Sequence, residues 1–313
     1  MSTGLSDVPP FMAGIDWTSV GPVFNMEGMP SDTALLAGRP VHRMGFGAMQ
    51  LPGPGVFGPP ADQGQALAVL RRGVEAGIDH IDTAQFYGPN VANELIHEAL
   101  FPYPENLVLV SKVGAVRDEK RQWLPAQRPE DLRAGVEANL ATLELDQVPV
   151  VNLRRHHESD VPLAEQLDAM MTLRDEGLIG AIGLSDVALD DYRAARSRTD
   201  VACVQNAYNL TDRSDQPLFD ACRADAVPYV PFFPLGSAFF ADNPVLDAPV
   251  VEETARRLGA TRAQVALAWL LDQAPTVLLI PGTSSPAHLE ENLAAAHLVL
   301  DEAAAEALGK AAD

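Results

Sequence analysis

Eight short apolar runs, separated by longer amphipathic stretches, constrain the fold of this chain more than any other feature. Six are nearly continuous: Met44–Gly47, Leu107–Val110, Ala181–Leu184, Val201–Val204, Pro228–Val230 and Val277–Ile280. Two are interrupted, Val148–Val151 by Pro149 and Gly77–Asp82 by Asp79 and His80. Runs of this length suit strands buried on both faces, as in a parallel sheet. The stretches between them carry helical spacing. Leu163, Leu167, Met170 and Leu173 recur on one face, with Gly177 beyond as a stop. Leu132, Val136, Leu140 and Leu143 repeat the pattern, and Arg262–Leu271 is similar. Alternating strands and helices predict right-handed βαβ units, and eight of them predict one α/β domain, a (β/α)8 TIM barrel. No Gly-x-Gly-x-x-Gly directly follows a predicted strand, which argues against a doubly wound dinucleotide fold. Residues 1–40 are rich in Gly, Pro, Ser and Asp and read as an N-terminal extension, leaving the barrel to residues 41–313.

Charge and cysteine content narrow the function. The 313 residues hold 22 basic and 43 acidic side chains, a net charge of −21. Nucleic acid is excluded as a partner, because phosphate binding needs the opposite sign, and so is a polybasic membrane anchor. No apolar run is long enough to span a bilayer. The two cysteines, Cys203 and Cys222, form no Cys-x-x-Cys pair, so neither a disulfide scaffold nor a cysteine metal site is expected, and the cytoplasm is the expected location. Lysine is scarce: only Lys112, Lys120 and Lys310.

In a barrel of this type the chemistry gathers where strands end. Asp82 ends one apolar run, and the stretch Asp82-Thr83-Ala84-Gln85-Phe86-Tyr87-Gly88 brings a tyrosine five residues on. Lys112 ends another run, Ser185-Asp186 a third and Gln205-Asn206 a fourth; Ile280-Pro281-Gly282-Thr283-Ser284-Ser285-Pro286 leads into a helix carrying His288, Glu291 and Asn292. A tyrosine keeps its proton at neutral pH, and a neighbouring cation eases the release of that proton by favouring the ionised product. Lys112 is the candidate cation, with Asp82 to orient it.

From about residue 40 to about residue 300, and in the same order, these motifs closely resemble the aldo-keto reductase superfamily. The resemblance implies a (β/α)8 barrel that binds NADPH, with NADH as the competing cofactor, and interconverts an aldehyde or ketone with its alcohol. It implies Tyr87 as general acid, tuned by Lys112, which pairs with Asp82. The alternative function is a non-catalytic nicotinamide-binding subunit or redox sensor on the same barrel.

The fourth catalytic position departs from the family, which usually has histidine there. Alignment places Arg154 at this point, with His156 two residues on and His157 beyond. An arginine cannot shuttle a proton, but it can polarise a substrate oxygen or hold a substrate anion. For the cofactor, the resemblance implies contacts from Gly47, Ala48 and Met49, from Ser185, Asp186 and Gln205 at the carboxamide, and from Phe232 (or Phe233), Pro234 and Leu235. It further implies contacts from Gly282, Thr283, Ser284, His288, Glu291 and Asn292 toward the phosphates and adenosine. Asp186 stands where most members carry asparagine, and it reads equally as a helix N-cap before Val187. Ser285 reads as an N-cap and Pro286 as a first helical residue, which together build an anion site. The family's frequent lysine and arginine here are replaced by Gly282 and His288. Trp123, Phe239 and Phe240 are candidate pocket residues, and Asp118–Gln127 is a polar stretch placed to cover the pocket. No metal ligand set is expected, and the only partner expected is a small carbonyl compound.

Overall fold

The computed structural model describes residues 32–156, 159–236 and 242–311. Most of the expected extension, together with His157, Phe239 and Phe240, lies outside them. The described chain opens with an antiparallel hairpin, β1 (Thr33–Leu36) and β2 (Arg39–His42), which straddles the boundary expected at residue 40. A parallel sheet follows, built from β3 (Phe46–Gly47), β4 (His80–Asp82) and β5 (Val108–Val113). After a short hairpin, β6 (Ala115–Arg117) and β7 (Trp123–Pro125), the sheet continues with β8 (Val148–Arg154), β9 (Ile179–Ser185) and β10 (Val204–Gln205).

The last two expected strands are present only as single parallel bridges. Val204 pairs with Tyr229, Tyr229 with Val277, and Leu279 with Met44, which closes the ring. Val230 N–H donates to Val204 O (2.7 Å), Leu278 N–H to Tyr229 O (3.0 Å) and Gly45 N–H to Leu279 O (2.8 Å). The (β/α)8 barrel expected from the alternation is therefore the fold, with an arc of continuous ladder and an arc of bridges.

The helices are α1 (Gln63–Glu75), α2 (Val91–Leu100), α3 (Pro129–Leu143), α4 (Leu163–Asp175), α5 (Leu189–Arg196), α6 (Gln216–Ala224), α7 (Pro249–Leu258), α8 (Arg262–Gln273), α9 (Pro286–Ala295) and α10 (Glu302–Gly309). The helical spacings read from sequence fall inside α3, α4 and α8, and the buried faces carry those residues. Gly177 follows α4 at φ 82°, in the left-handed conformation that a glycine adopts cheaply. Thr261 and Gln264 form a reciprocal capping box that starts α8.

Two surfaces are buried. Outside the ring, strands pack on helices. Inside it, Val108, Val110, Val150, Cys203, Val230 and Leu278 join Ala34, Leu36 and Val41 of the hairpin in one apolar cluster. The hairpin thus plugs the N-terminal end of the barrel, and polar chemistry is confined to the opposite end. Near the plug, Asp79 accepts from His42 N–H (2.9 Å) and pairs with the His42 ring (2.8 Å). Burial works against the Asp79 carboxylate, but its histidine partners outweigh that effect and hold its pKa below the ordinary value. Above it, the His80 ring occupies the space beside Gly45, where any Cβ would collide with the imidazole. No helix of the described residues is long and apolar enough to cross a membrane.

Candidate active site

Each strand end delivers one polar side chain to the same face. Asp82 ends β4, Lys112 lies in β5, Arg154 ends β8, Ser185 ends β9 and Gln205 ends β10. The parallel registers Lys112↔Asn152, Arg154↔Ser185 and Gln205↔Ser185 fix their relative heights. Strand β5 runs beyond the apolar run read from sequence, so Lys112 is inside the ladder and buried, not a residue of the rim.

Lys112 Nζ donates to Asp82 Oδ1 and to Thr83 O (3.1 Å), and lies 4.9 Å from the centre of the Tyr87 ring. Gln205 Nε2 donates to the other oxygen of Asp82 (2.9 Å). Asp82 is therefore held on both oxygens, and through it Lys112 is held beside the tyrosine. Removing an ammonium from water is costly, and a buried pair persists only when hydrogen bonds satisfy both members, as here. Burial opposes the charge on Lys112, but Asp82 and Tyr87 outweigh it and its pKa stands above the ordinary lysine value. Burial raises the Tyr87 pKa; Lys112 and Arg154 pull the other way without reversing it. Tyr87 is thus protonated throughout the neutral range, with a cation beside it to receive the developing charge.

Tyr87 sits on a tight turn between β4 and α2. Its N–H donates to Ala84 O (3.0 Å) and its carbonyl accepts from Ala92 N–H (3.1 Å). Behind this turn lies a buried polar network that the strand-end reading did not anticipate. Thr83 Oγ1 donates to Asn93 (2.8 Å), and Asn93 donates to Asn139 (2.9 Å). Asn139 in turn accepts from Ser111 (2.5 Å) and donates to Gln85 (3.3 Å). The network ties α2 and α3 to the two strands that bring Asp82 and Lys112. A signal was available in sequence: Asn139 falls on the helix face of Leu132, Val136 and Leu143, a polar residue at a core position.

Arg154, rather than His156, lines the cavity with Tyr87; His156 lies past the strand end and lines neither cavity described here. Asp186 is not an N-cap, since α5 begins at Leu189 with Ala188 as its cap. At φ 58°, Asp186 turns its carboxylate to Arg154, with Oδ2 3.4 Å from Nη2, and it lines neither cavity. The stretch expected to cover the pocket, Asp118–Gln127, supplies the turn and the second strand of the hairpin β6–β7. Arg117 stacks on Trp123 (4.1 Å) and donates to Val56 O (3.0 Å), tying the hairpin to the loop before α1.

A cavity of about 390 Å3 runs from Asp82 and Tyr87 to the start of α9. Of the residues expected at the cofactor, Gly47, Met49, Gln205, Phe232, Pro234, Leu235, Gly282, Thr283, Ser284 and His288 line it, as does Phe233. Ser185 lines an adjoining cavity of about 200 Å3 that shares Tyr87 and Gln205. Ala48, Glu291 and Asn292 line neither. Ser285 caps α9, accepting from His288 N–H (3.4 Å), and Pro286 is its first residue, as expected. At Gly282 a side chain has no room, because a Cβ would strike the Gly47 carbonyl. The lysine common in the resembled family is therefore sterically barred in this chain. Among the described residues no cluster of His, Cys, Asp and Glu is able to hold a metal.

Comparison with known proteins bears on this arrangement. The model of the aldo/keto reductase family matches residues 43–313. A pyridoxine 4-dehydrogenase of Escherichia coli is 47% identical over 279 residues, covering 88% of this chain and 96% of that protein. Among solved structures, an aldo/keto reductase from Klebsiella pneumoniae in complex with NADP and acetate superposes with a TM-score of 0.74 at 27% identity, covering 88% of this chain and 94% of that one. A thermostable aldo-keto reductase bound to the inhibitor epalrestat gives 0.77 at 29% identity, covering 89% of this chain and 99% of that one.

Proposed function

The chain belongs to the aldo/keto reductase family and is an NAD(P)H-dependent carbonyl oxidoreductase, and from that premise we propose that Tyr87 is its proton donor. Lys112 tunes Tyr87, Asp82 holds Lys112, and Arg154 fills the fourth catalytic position. The observation that carries this reading is the buried Lys112 ammonium, held by Asp82 and placed 4.9 Å from the Tyr87 ring at the meeting point of two cavities.

The residues present fit NADPH, the cofactor found with likenesses from Klebsiella pneumoniae. The longer cavity reaches from Tyr87 to a capped helix N-terminus, and glycines at 47 and 282 let two of the segments that line it pack closely, since a Cβ on either would strike the backbone of the other. Ser185 and Gln205 stand at the nicotinamide end, Phe232 supplies a ring to stack on it, and Thr283, Ser284 and the first turn of α9 stand at the phosphate end. The bound nicotinamide supplies the hydride. Tyr87 Oη gives its proton to the substrate oxygen as the carbonyl carbon is reduced, and Lys112 Nζ stabilises the phenolate left behind. In alcohol oxidation Tyr87 Oη takes that proton back.

The name of the Escherichia coli relative supports pyridoxine and its 4-aldehyde, pyridoxal, as the substrate pair. The cavity of about 200 Å3 is of a size for one small ring. The alternative, a non-catalytic nicotinamide-binding subunit or redox sensor, is disfavoured, since cofactor binding alone has no use for a buried Lys112–Asp82 pair beside Tyr87. Two buried free thiols also suit the cytoplasm. The test is NADPH oxidation with pyridoxal: wild type turns over, and Tyr87→Phe loses roughly 10²–10⁴-fold in kcat, as expected for removal of a general acid. Near-normal turnover by Tyr87→Phe would overturn the assignment.

A further inference from the structure

The smaller cavity has an unusual wall for so acidic a protein. The chain carries a net charge of −21, yet among the described residues no Asp or Glu lines this cavity, and the two ionised side chains that do, Lys112 and Arg154, are both cations. Phe86, Trp123, Phe232 and Phe233 supply flat apolar faces. Lys112 is committed to Asp82. Arg154 is fixed from behind: Gln127 Nε2 donates to its carbonyl (2.6 Å), Gln127 is braced by Gln166 (3.2 Å), and Gly114 packs against the same carbonyl. Among the described residues its guanidinium makes two long polar contacts, Asp186 at 3.4 Å and Arg155 O at 3.5 Å. A guanidinium has five N–H donors in a planar fork, so donors remain for the cavity.

We propose that Arg154, braced by Asp186, determines specificity by binding an ionised oxygen next to the reacting carbonyl, so that the preferred substrates are aromatic aldehydes bearing an ortho phenolate. The inference rests on Tyr87 as proton donor, since that residue fixes where the carbonyl oxygen sits. Tyr87 and Arg154 line the same small cavity, so a ring that presents its carbonyl oxygen to Tyr87 can turn an oxygen on the neighbouring ring carbon toward the guanidinium fork. Aromatic walls exclude water, which strengthens the ion pair, and paired N–H donors from one guanidinium hold a phenolate more tightly than a neutral hydroxyl. A neutral histidine has no charge to offer an anion, which gives the departure at this position a physical meaning. In the reaction the carbonyl carbon takes the hydride with its electron pair, the carbonyl oxygen takes the Tyr87 proton, the cofactor is left oxidised, and the ortho phenolate is unchanged. Pyridoxal, whose ring oxygen adjoins its aldehyde, belongs to this class.

The experiment compares salicylaldehyde with 2-methoxybenzaldehyde, which has the same ring but cannot ionise. With NADPH, the wild-type ratio of kcat/KM for the two rises about tenfold or more as the phenol ionises between about pH 6 and about pH 9. Arg154→Met lowers both values but salicylaldehyde more, bringing the ratio close to one at every pH, and Arg154→Lys restores part of it. Calorimetry with salicylaldehyde at about pH 9 on the NADP+-loaded protein, which has no hydride to give, reads the same contact without turnover, with binding about tenfold weaker in Arg154→Met. An unchanged ratio in Arg154→Met, or equal salicylaldehyde binding by wild type and variant, overturns the proposal. If wild type reduces neither aldehyde, the catalytic reading is at fault, and salicylaldehyde binding still decides the role of Arg154.

Discussion

From β3 round to β10 the barrel is joined by ladders, and β5, β8 and β9 pair over most of their lengths. From Val204 back to Met44 it is joined by single bridges at Tyr229, Val277 and Leu279. The first arc carries Asp82, Lys112, Arg154 and Ser185; the second carries Phe232, Pro234, Leu235 and the 282–284 turn of the long cavity. Proton chemistry needs groups held within a fraction of an ångström, and a ladder secures each strand end from both sides. An elongated ligand that must enter and leave is better served by irregular backbone whose N–H groups are not already spent on neighbouring strands. On the proposed assignment, the first arc holds the proton-transfer groups and one side of the long cavity, and the second arc supplies the rest of the wall that would hold the cofactor.

Substitutions on the two arcs should give different signatures. The largest effect is expected from Lys112→Met. It leaves the Asp82 carboxylate buried without its cation, which should cost about 3–5 kcal/mol of stability and most of the turnover. Urea denaturation alongside kcat would show it, and a variant with wild-type stability would mean that the ion pair contributes nothing net to folding. On the other arc, Gly282→Ala pushes a methyl group at the Gly47 carbonyl. Cofactor binding should weaken by about tenfold while kcat at saturating NADPH stays within about threefold. Fluorescence titration and steady-state kinetics measure the two values; a fall in kcat with unchanged affinity would erase the distinction between the arcs.

The smallest effect concerns the plug, which serves both arcs. Asp79 has a depressed pKa in the folded protein, so its contribution is fully present above the unfolded value of about 3.9 and is lost as the pH falls below it. The melting temperature should decline more steeply below about pH 4 in wild type than in Asp79→Asn. Parallel curves would show that the His42 and His80 contacts do not favour the ionised form.

The residues that proved legible in sequence are those whose signal is local. Asp82, Lys112 and Ser185 stand at or just past the end of an apolar run, Arg154 was placed by the family resemblance, and strand order converts those positions into places on one face. Tyr87 was legible because its turn sits at a fixed offset from Asp82. What was not legible depends on residues distant in sequence. Asp186 lost its role as a helix cap because the backbone at φ 58° directs its side chain to Arg154 on the neighbouring strand. Gln205 was expected at the nicotinamide, and it also holds Asp82, a residue far earlier in the chain. The runs at Pro228–Val230 and Val277–Ile280 have strand composition but pair at single positions, since apolarity reports burial and not ladder length. The hairpin at 33–42 escaped notice because its half-buried strands alternate over only four residues each.

The burial of Lys112 also bears on the chemical durability of the protein. Aldehydes condense with free amines, whereas a guanidinium that stays protonated is a poor partner for that reaction. Of the three lysines, Lys112 is enclosed in an ion pair, and only Lys120 and Lys310 are exposed, with Lys310 paired to Glu306 (2.7 Å). Positive charge on the outside is otherwise carried by arginine. A catalyst that works in the presence of reactive aldehydes thus offers them few ε-amino groups to modify, and Lys112, the amine proposed to tune Tyr87, is the one they reach last.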